Sequence, residues 1–387
     1  MTSPRFVIVG GGLAGGLAGL ALADEGRGAS VALVESGIAL GGDAGHTWSC
    51  HESDLDGDVR GLVTPLLAHR WPGHIVRFPG RERRLDTGYL TVTGERFARL
   101  VRERLERAGA RVLLGADAVD VGEGHARLAD GRVLEGEIVL DARGPERHAV
   151  PGARGGFQKF VGLEIALEDD GPWRLPVVMD ASVEQDEGFR FVYVLPFSRR
   201  HVLVEDTVYA EDGRVDTDAY ARRVASYVEA HGARIDRVLR REVGVLPLPL
   251  DDERRPEGGR GGPLPIGYRG GFFHGVTGYS LPEAARVARA VARTRTREDA
   301  ARALAALARA RAGQRRFQRL LARLLFRALP APKRWTALER FYRLPDDTIA
   351  RFYASRSTAF DRARVLVGRP PAGLSWRRLL SAVREAA

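Results

Sequence analysis

The chain runs to 387 residues with a net charge of +10, 44% of them hydrophobic and 28% charged. That length allows one large domain or two modest ones, and the balance of apolar and charged residues argues against a disordered or membrane-spanning class. A single cysteine, Cys50, excludes an intramolecular disulfide framework and a multi-cysteine metal site, and makes cytoplasmic residence the simplest reading. The positive charge is carried almost wholly by arginine. A GC-rich genome accounts for such arginine use, and a basic face for anionic lipid is the functional reading. No zinc-finger spacing, aromatic RNP pattern or basic zipper accompanies the charge, so lipid is preferred to nucleic acid as a partner.

Phe6 to Val9 is a short apolar, β-prone run followed at once by Gly10-Gly11-Gly12-Leu13-Ala14-Gly15, and an alanine- and leucine-rich stretch then reaches Glu25. After Arg5 this run superficially resembles a secretory signal, but a signal core has no need of glycines placed between a strand and a helix. The G-x-G-x-x-G spacing in that setting predicts a dinucleotide site. Gly10 permits the tight turn, Gly12 the close approach of backbone to a pyrophosphate, and Gly15 the packing of the helix on the sheet. A second strand over 30–34 ends in Glu35, whose carboxylate is placed to accept hydrogen bonds from a ribose diol.

Later segments favour FAD over NAD. Residues 131–140 read as a hairpin and strand ending at Asp141-Ala142-Arg143-Gly144, the kind of small-residue turn that lies beside the cofactor in large flavoproteins, so Asp141 and Gly144 are assigned to the cofactor. A second glycine-rich loop over 270–280 opens a helix near Pro282 and assigns Gly278 and Tyr279 to a flavin ring and ribityl chain. Between these segments, residues 74–78, 89–92, 189–195 and 201–207 have strand character and predict one mostly antiparallel sheet, with Pro196 and Ser198-Arg199-Arg200 as a turn. From Arg297 onward Leu304, Leu307, Phe317, Leu320, Leu321, Leu324 and Leu325 recur at helical spacing among arginines. Such a helix either faces a core with its arginines solvated or lies on a membrane surface, and the core-facing version is preferred. No run has the length and composition of a transmembrane helix. The expected fold class is α/β: a Rossmann-like FAD-binding domain from 1–70, 94–150 and 262–296, an inserted mostly antiparallel β-sheet substrate domain from 71–93 and 151–261, and a C-terminal helical region over 297–387.

His46-Thr47-Trp48-Ser49, Val76-Arg77-Phe78-Pro79, Gln158-Lys159-Phe160-Val161-Gly162 and Gly188-Phe189-Arg190-Phe191-Val192-Tyr193 form the first half of an ordered set of short stretches. Glu205-Asp206-Thr207, Thr277-Gly278-Tyr279-Ser280-Leu281, Arg340-Phe341-Tyr342-Arg343-Leu344-Pro345, Arg351-Phe352-Tyr353 and Gly368-Arg369-Pro370-Pro371 complete it. In order and spacing, over nearly the whole chain, the set resembles the bacterial lycopene β-cyclase family. The resemblance implies a flavoprotein, peripherally associated with the cytoplasmic membrane, that takes lycopene or a related linear carotenoid. It closes the ψ-end groups to β-rings, by way of γ-carotene to β-carotene. The resemblance also implies that reduced FAD is required although the overall reaction is an isomerisation, with NAD(P)H keeping the flavin reduced. Leu203-Val204-Glu205-Asp206-Thr207 lines up with the acidic catalytic motif of plant cyclases, which puts the essential carboxylate on Glu205, with Asp206 beside it. Two stretches depart from the family pattern. His274-Gly275-Val276-Thr277-Gly278-Tyr279 stands where His-Pro-Thr-Thr-Gly-Tyr is usual, and Leu163 and Ile165 flank Glu164 where glutamine and tryptophan are usual.

Ring closure begins with a proton delivered to an alkene carbon, a very weak base, so the acid must be shielded from water. Glu205 and Asp206 are neighbours on a predicted strand and point to opposite faces, with Glu205 expected toward the chamber. Glu164 is a second carboxylate candidate, for proton return or for placing the polyene. Trp48, Tyr193 and Tyr279 are candidates for steadying a cation, with core packing as the plainer role of each. His46 and His51 read as hydrogen-bonding loop residues, and no metal is expected. Two other classes stay open: an FAD-dependent oxidoreductase, hydroxylase or reductase, acting on an isoprenoid substrate, and a non-catalytic carotenoid carrier.

Overall fold

The computed structural model describes residues 5–42, 45–145, 155–250, 261–368 and 370–375. Five parallel strands form one sheet, in the order Leu264–Pro265, Ile138–Asp141, Phe6–Val9, Val31–Val34, Arg111–Leu113. Its three central strands are buried at every position because both faces are covered. Phe6, Ile8, Leu33 and Leu140 pack under the helices Leu13–Asp24, Gly94–Arg107 and Leu281–Ala292. The alternate side chains Val7, Val9, Ala32 and Val139 pack on a small antiparallel sheet of Ala118–Val121, His125–Leu128 and Val133–Glu135.

A second sheet has seven strands, in the order Ile235–Leu248, Gly156–Leu167, His201–Ala210, Phe189–Pro196, Val177–Asp180, His74–Phe78, Arg81–Leu85. Neighbours are antiparallel except Val177–Asp180 and His74–Phe78, which run parallel. Period-two alternation divides its side chains. Leu163, Ile165, Val192, Val194, Val202 and Val204 pack beneath the helix Thr217–Ala230. Glu205, Tyr193, Phe191 and Tyr209 turn the other way, toward a cavity shared with the parallel sheet. The tail folds into helices that close one end of this face: Phe317, Leu325, Phe352 and Tyr353 pack against Phe189, Phe191 and Tyr209. The apolar stripe of the arginine-rich tail is therefore core-facing.

Three placements differ from the sequence expectation. Residues 89–92 do not join the large sheet; the strand Tyr89–Thr93 pairs with Thr47–His51 and His69–Trp71 in a separate three-stranded sheet. The cause is packing, since Leu90 and Val92 complete the core under the nucleotide-side helices. His51 lies at the end of a strand rather than in a loop, and is 1% exposed. The long strands Gly156–Leu167 and Ile235–Leu248 were not among the expected ones. The expected domain boundary at 150 falls outside the described residues, as do Arg369 and residues 376–387 of the tail.

Candidate active site

A cavity of about 900 Å³ lies between the parallel sheet and the seven-stranded sheet. At one end the strand Phe6–Val9 delivers the chain into the glycine turn. Gly10 adopts φ +104°, and a side chain there would strike the Ala142 carbonyl oxygen at 2.6 Å. A Cβ on Gly15 would lie 1.9 Å from the Gly10 oxygen, so this glycine serves helix packing and does not reach the cavity wall. Gly12 is the contrasting case: a Cβ there meets no protein atom within 4 Å, and the residue lines the cavity. The helix Leu13–Asp24 starts at this point, and the start of Leu281–Ala292 reaches the same cavity through Ser280 and Leu281. Two helix N-termini over an open glycine turn fit a pyrophosphate group.

Glu35 lines the cavity with its carboxylate fixed by two backbone donors, Gly11 N–H at 2.6 Å and Gly37 N–H at 2.8 Å. A carboxylate has lone pairs left for a ribose diol after two such bonds. Gly144 and Gly278 line the cavity, each with a left-handed φ, of +80° and +70°. Asp141 does not line it; its carboxylate is paired with Arg143 at 2.7 Å and Arg269 at 3.4 Å, and those two arginines line the wall.

The other end is built on the large sheet. Glu205 lies on the wall, 8% exposed, and accepts a hydrogen bond from the Thr207 hydroxyl at 2.7 Å. Burial pushes its pKa well above the ordinary carboxylate value, and the neighbouring Glu242 carboxylate pushes the same way. Both effects favour the neutral carboxylic acid over the carboxylate at this position. Asp206 points to the opposite face, where Arg190 holds it at 2.7 Å and Arg223 stands 3.6 Å away. Burial raises its pKa while both arginines pull it down. Glu164 is outside the cavity wall, bonded to His201 at 2.7 Å and to Arg240 at 2.8 Å, partners that hold its pKa below the ordinary value.

Tyr193 and Tyr279 lie on the wall and meet at Tyr89, whose hydroxyl is 3.0 Å and 2.6 Å from theirs. Tyr193 also donates to Ser49 at 2.9 Å. Burial raises the pKa of all three phenols, so they remain neutral. Trp48 lines the cavity edge-on to Phe97, ring centroids 5.0 Å apart. His46 also lines it, and burial lowers its pKa.

Sequence reasoning did not single out Glu242, Arg240 or Tyr89 as site residues. Arg240 and Glu242 sit in Arg237-Val238-Leu239-Arg240-Arg241-Glu242, a charge-dense run with no apolar alternation to mark it as a strand. The usable signals were the strand glycines: a Cβ on Gly244 would lie 2.2 Å from the Phe160 ring, and Gly162 stands between Glu205 and Glu242 in register.

Comparison with known proteins gives this geometry a family. A family model described as "Lycopene cyclase protein" matches residues 6–379. A protein of Paracoccus sp. (strain N81106 / MBIC 01143) named "Lycopene beta-cyclase" is 42% identical over 372 residues, covering 94% of each chain. Proteins of the same name from Pantoea ananas and Pseudescherichia vulneris are 36% and 38% identical, covering 95% and 97% of this chain and 94% and 97% of theirs. Among solved structures, a geranylgeranyl bacteriochlorophyll reductase-like protein of Thermoplasma acidophilum is 15% identical with a TM-score of 0.59, over 99% of this chain and 96% of that one. A flavin-dependent brominase is 16% identical with a TM-score of 0.60, over 92% and 94%. These two likenesses show the fold. The family model and the full-length relatives establish that the chain belongs to the lycopene cyclase family.

Proposed function

We propose that this chain closes the ψ-end groups of lycopene to β-rings, with Glu205 as the acid. The observation that carries the reading is a buried carboxyl, its pKa raised by burial, on the wall of the cavity that the glycine turn also lines. Glu205 transfers its proton to a terminal alkene carbon, leaving a tertiary cation on the chain. A second alkene closes on that cation, and loss of a ring proton back to Glu205 gives the β-ring. One proton leaves the acid and one returns, so the product has the mass of the substrate. Asp206, on the other face of the strand, holds Arg190 and supports the strand from behind. The phenol ring faces of Tyr193 and Tyr279 offer electron density to the cation, and the apolar wall keeps water from intercepting it.

Gly10, Gly12, Gly144, Gly278 and Glu35 would hold FAD, whose reduced ring would supply electron density and negative charge to steady a cation. NAD(P)H is the proposed source of its electrons. The substrate is wholly apolar, and we place the protein at the membrane surface as a peripheral partner. The net charge of +10 and the exposed Phe360, Leu366 and Val367 support that placement. No helix among the described residues is long and apolar enough to cross a membrane.

The test is incubation with lycopene, FAD and NADPH, run in parallel without oxygen and in air. A cyclic product of unchanged mass is expected, and Glu205→Gln should keep its flavin while losing about 10²- to 10⁴-fold in rate. A product that gains oxygen or two hydrogens would instead mark an oxidoreductase.

A further inference from the structure

Three strands of the large sheet carry Glu205, Gly162 and Glu242 in direct cross-strand register. A side chain at Gly162 would lie 2.9 Å from Cγ of Glu242 and 3.4 Å from its Oε1. The missing side chain leaves room for the Glu242 side chain to lean over Gly162, on the face of the sheet from which Glu205 rises on the next strand. Their surroundings differ. Glu242 is 2% exposed, pairs with Arg240 at 2.7 Å and accepts from the Thr47 hydroxyl at 3.3 Å. Glu205 has the Thr207 hydroxyl and, among the described residues, no ion pair. Only Glu205 lines the cavity.

We infer that Glu205 and Glu242 share one proton across Gly162, with Glu242, anchored by Arg240, as the positioning residue that keeps the catalytic acid loaded. This rests on the role of Glu205 proposed above. Two buried carboxylates that face each other across a glycine repel, so the pair retains one proton where a lone carboxyl would lose it. The guanidinium of Arg240 fixes the negative charge on the inner member and leaves the proton on the member that faces substrate. Once Glu205 has given its proton away the pair carries two negative charges, which drives recovery of the ring proton. The other groups facing this pair do not replace Glu242: Tyr193 opposite Glu205 is a neutral phenol, Asp206 points to the other face beside Arg190, and His46 near Glu242 is held neutral by burial.

The pH dependence of kcat decides it. In the wild type, activity falls on the alkaline side as Glu205 loses its proton. Removing the neighbouring charge in Glu242→Gln lowers the pKa of Glu205 and moves that limb to lower pH. A move of about one unit or more is expected, which costs about tenfold in rate on the alkaline side and much less on the acid side. Gly162→Ala, which takes that room from Glu242, should move the limb the same way with Glu242 still present. Infrared titration of the resting protein supplies a readout without turnover: one protonated carboxyl band persists through neutral pH in the wild type, disappears in Glu205→Gln, and titrates earlier in Glu242→Gln. An unmoved limb and band in a folded, flavin-loaded Glu242→Gln protein would overturn the inference, as would a wild type without a protonated band at neutral pH. Activity surviving in Glu205→Gln would instead defeat the underlying assignment of the acid.

Discussion

His274 holds the loop that carries Gly278 and Tyr279, and it does so as a neutral ring. Its Nε2 donates to the Phe352 carbonyl at 3.0 Å, while Nδ1 accepts from the backbone N–H of Thr277 at 3.3 Å. Protonation would turn the acceptor into a donor aimed at a donor. Burial lowers the pKa from 6.5 to about 4. The sign follows: the neutral form's contribution is fully present above the unfolded value and is lost as pH falls toward the folded one, a swing on the order of a few kcal/mol. Flavin fluorescence should therefore rise on acidification between those values as the loop lets go, and His274→Ala should already bind flavin weakly at neutral pH. Retention of flavin at the acid end of that range would refute the account. Glu205 runs in the opposite direction. Its raised pKa means that stability is fully present below the ordinary carboxylate value and is lost as pH rises toward the folded one. Glu205→Gln should flatten the loss of melting temperature between mildly acid and alkaline buffer; an identical slope in both proteins would show that residue 205 is not the buried acid.

The glycine turn separates two roles that look alike in sequence. A methyl on Gly15 collides with backbone at 1.9 Å, whereas one on Gly12 collides with nothing in the protein. Gly15→Ala is expected to lower the melting temperature of the flavin-free protein, and Gly12→Ala to leave it unchanged while cutting flavin affinity by tenfold or so, about 1.4 kcal/mol. Flavin stoichiometry and apoprotein melting curves distinguish these, and equal loss of apoprotein stability in both would contradict the open-turn geometry. This element was legible because a strand buried on both faces must read as an unbroken apolar run, as Phe6–Val9 does. Residues 201–207 were legible for a related reason, since one face meets the helix Thr217–Ala230 and the other the cavity. Ile235–Leu248 was not. Val238 and Leu239 are exposed while Arg240 and Glu242 turn inward to pair with each other, an inversion of the polar-out pattern that periodicity looks for. The pairing of Tyr89–Thr93 was equally hidden, because alternation reports that a strand has two faces and not which sheet receives them.

At the scale of the molecule, the core and the charge give the arginines different tasks. Arg334, 2% exposed, is spent internally on the Leu325 and Phe326 carbonyls, which the helical tail needs in order to close over the large sheet. Many others remain at the surface, and the net charge stays at +10. Beside them, the last described helix, Ala359–Leu366, exposes Phe360 by 64%, and Val367 just beyond it by 72%. Basic charge with a few protruding apolar side chains suits the surface of an anionic bilayer, where each arginine near the headgroups contributes about 1 kcal/mol. That attraction is screened over about 10 Å in 0.1 M salt, so binding to vesicles rich in phosphatidylglycerol should be strong at low ionic strength and mostly reversed by molar salt. Phe360→Ser should remove much of the salt-resistant remainder without changing flavin content, because its ring contacts Arg364 and not the cavity. Sedimentation with neutral and anionic vesicles across a salt series measures both parts. Equal partitioning into the two vesicle types would show that the basic surface does not bring this enzyme to its substrate.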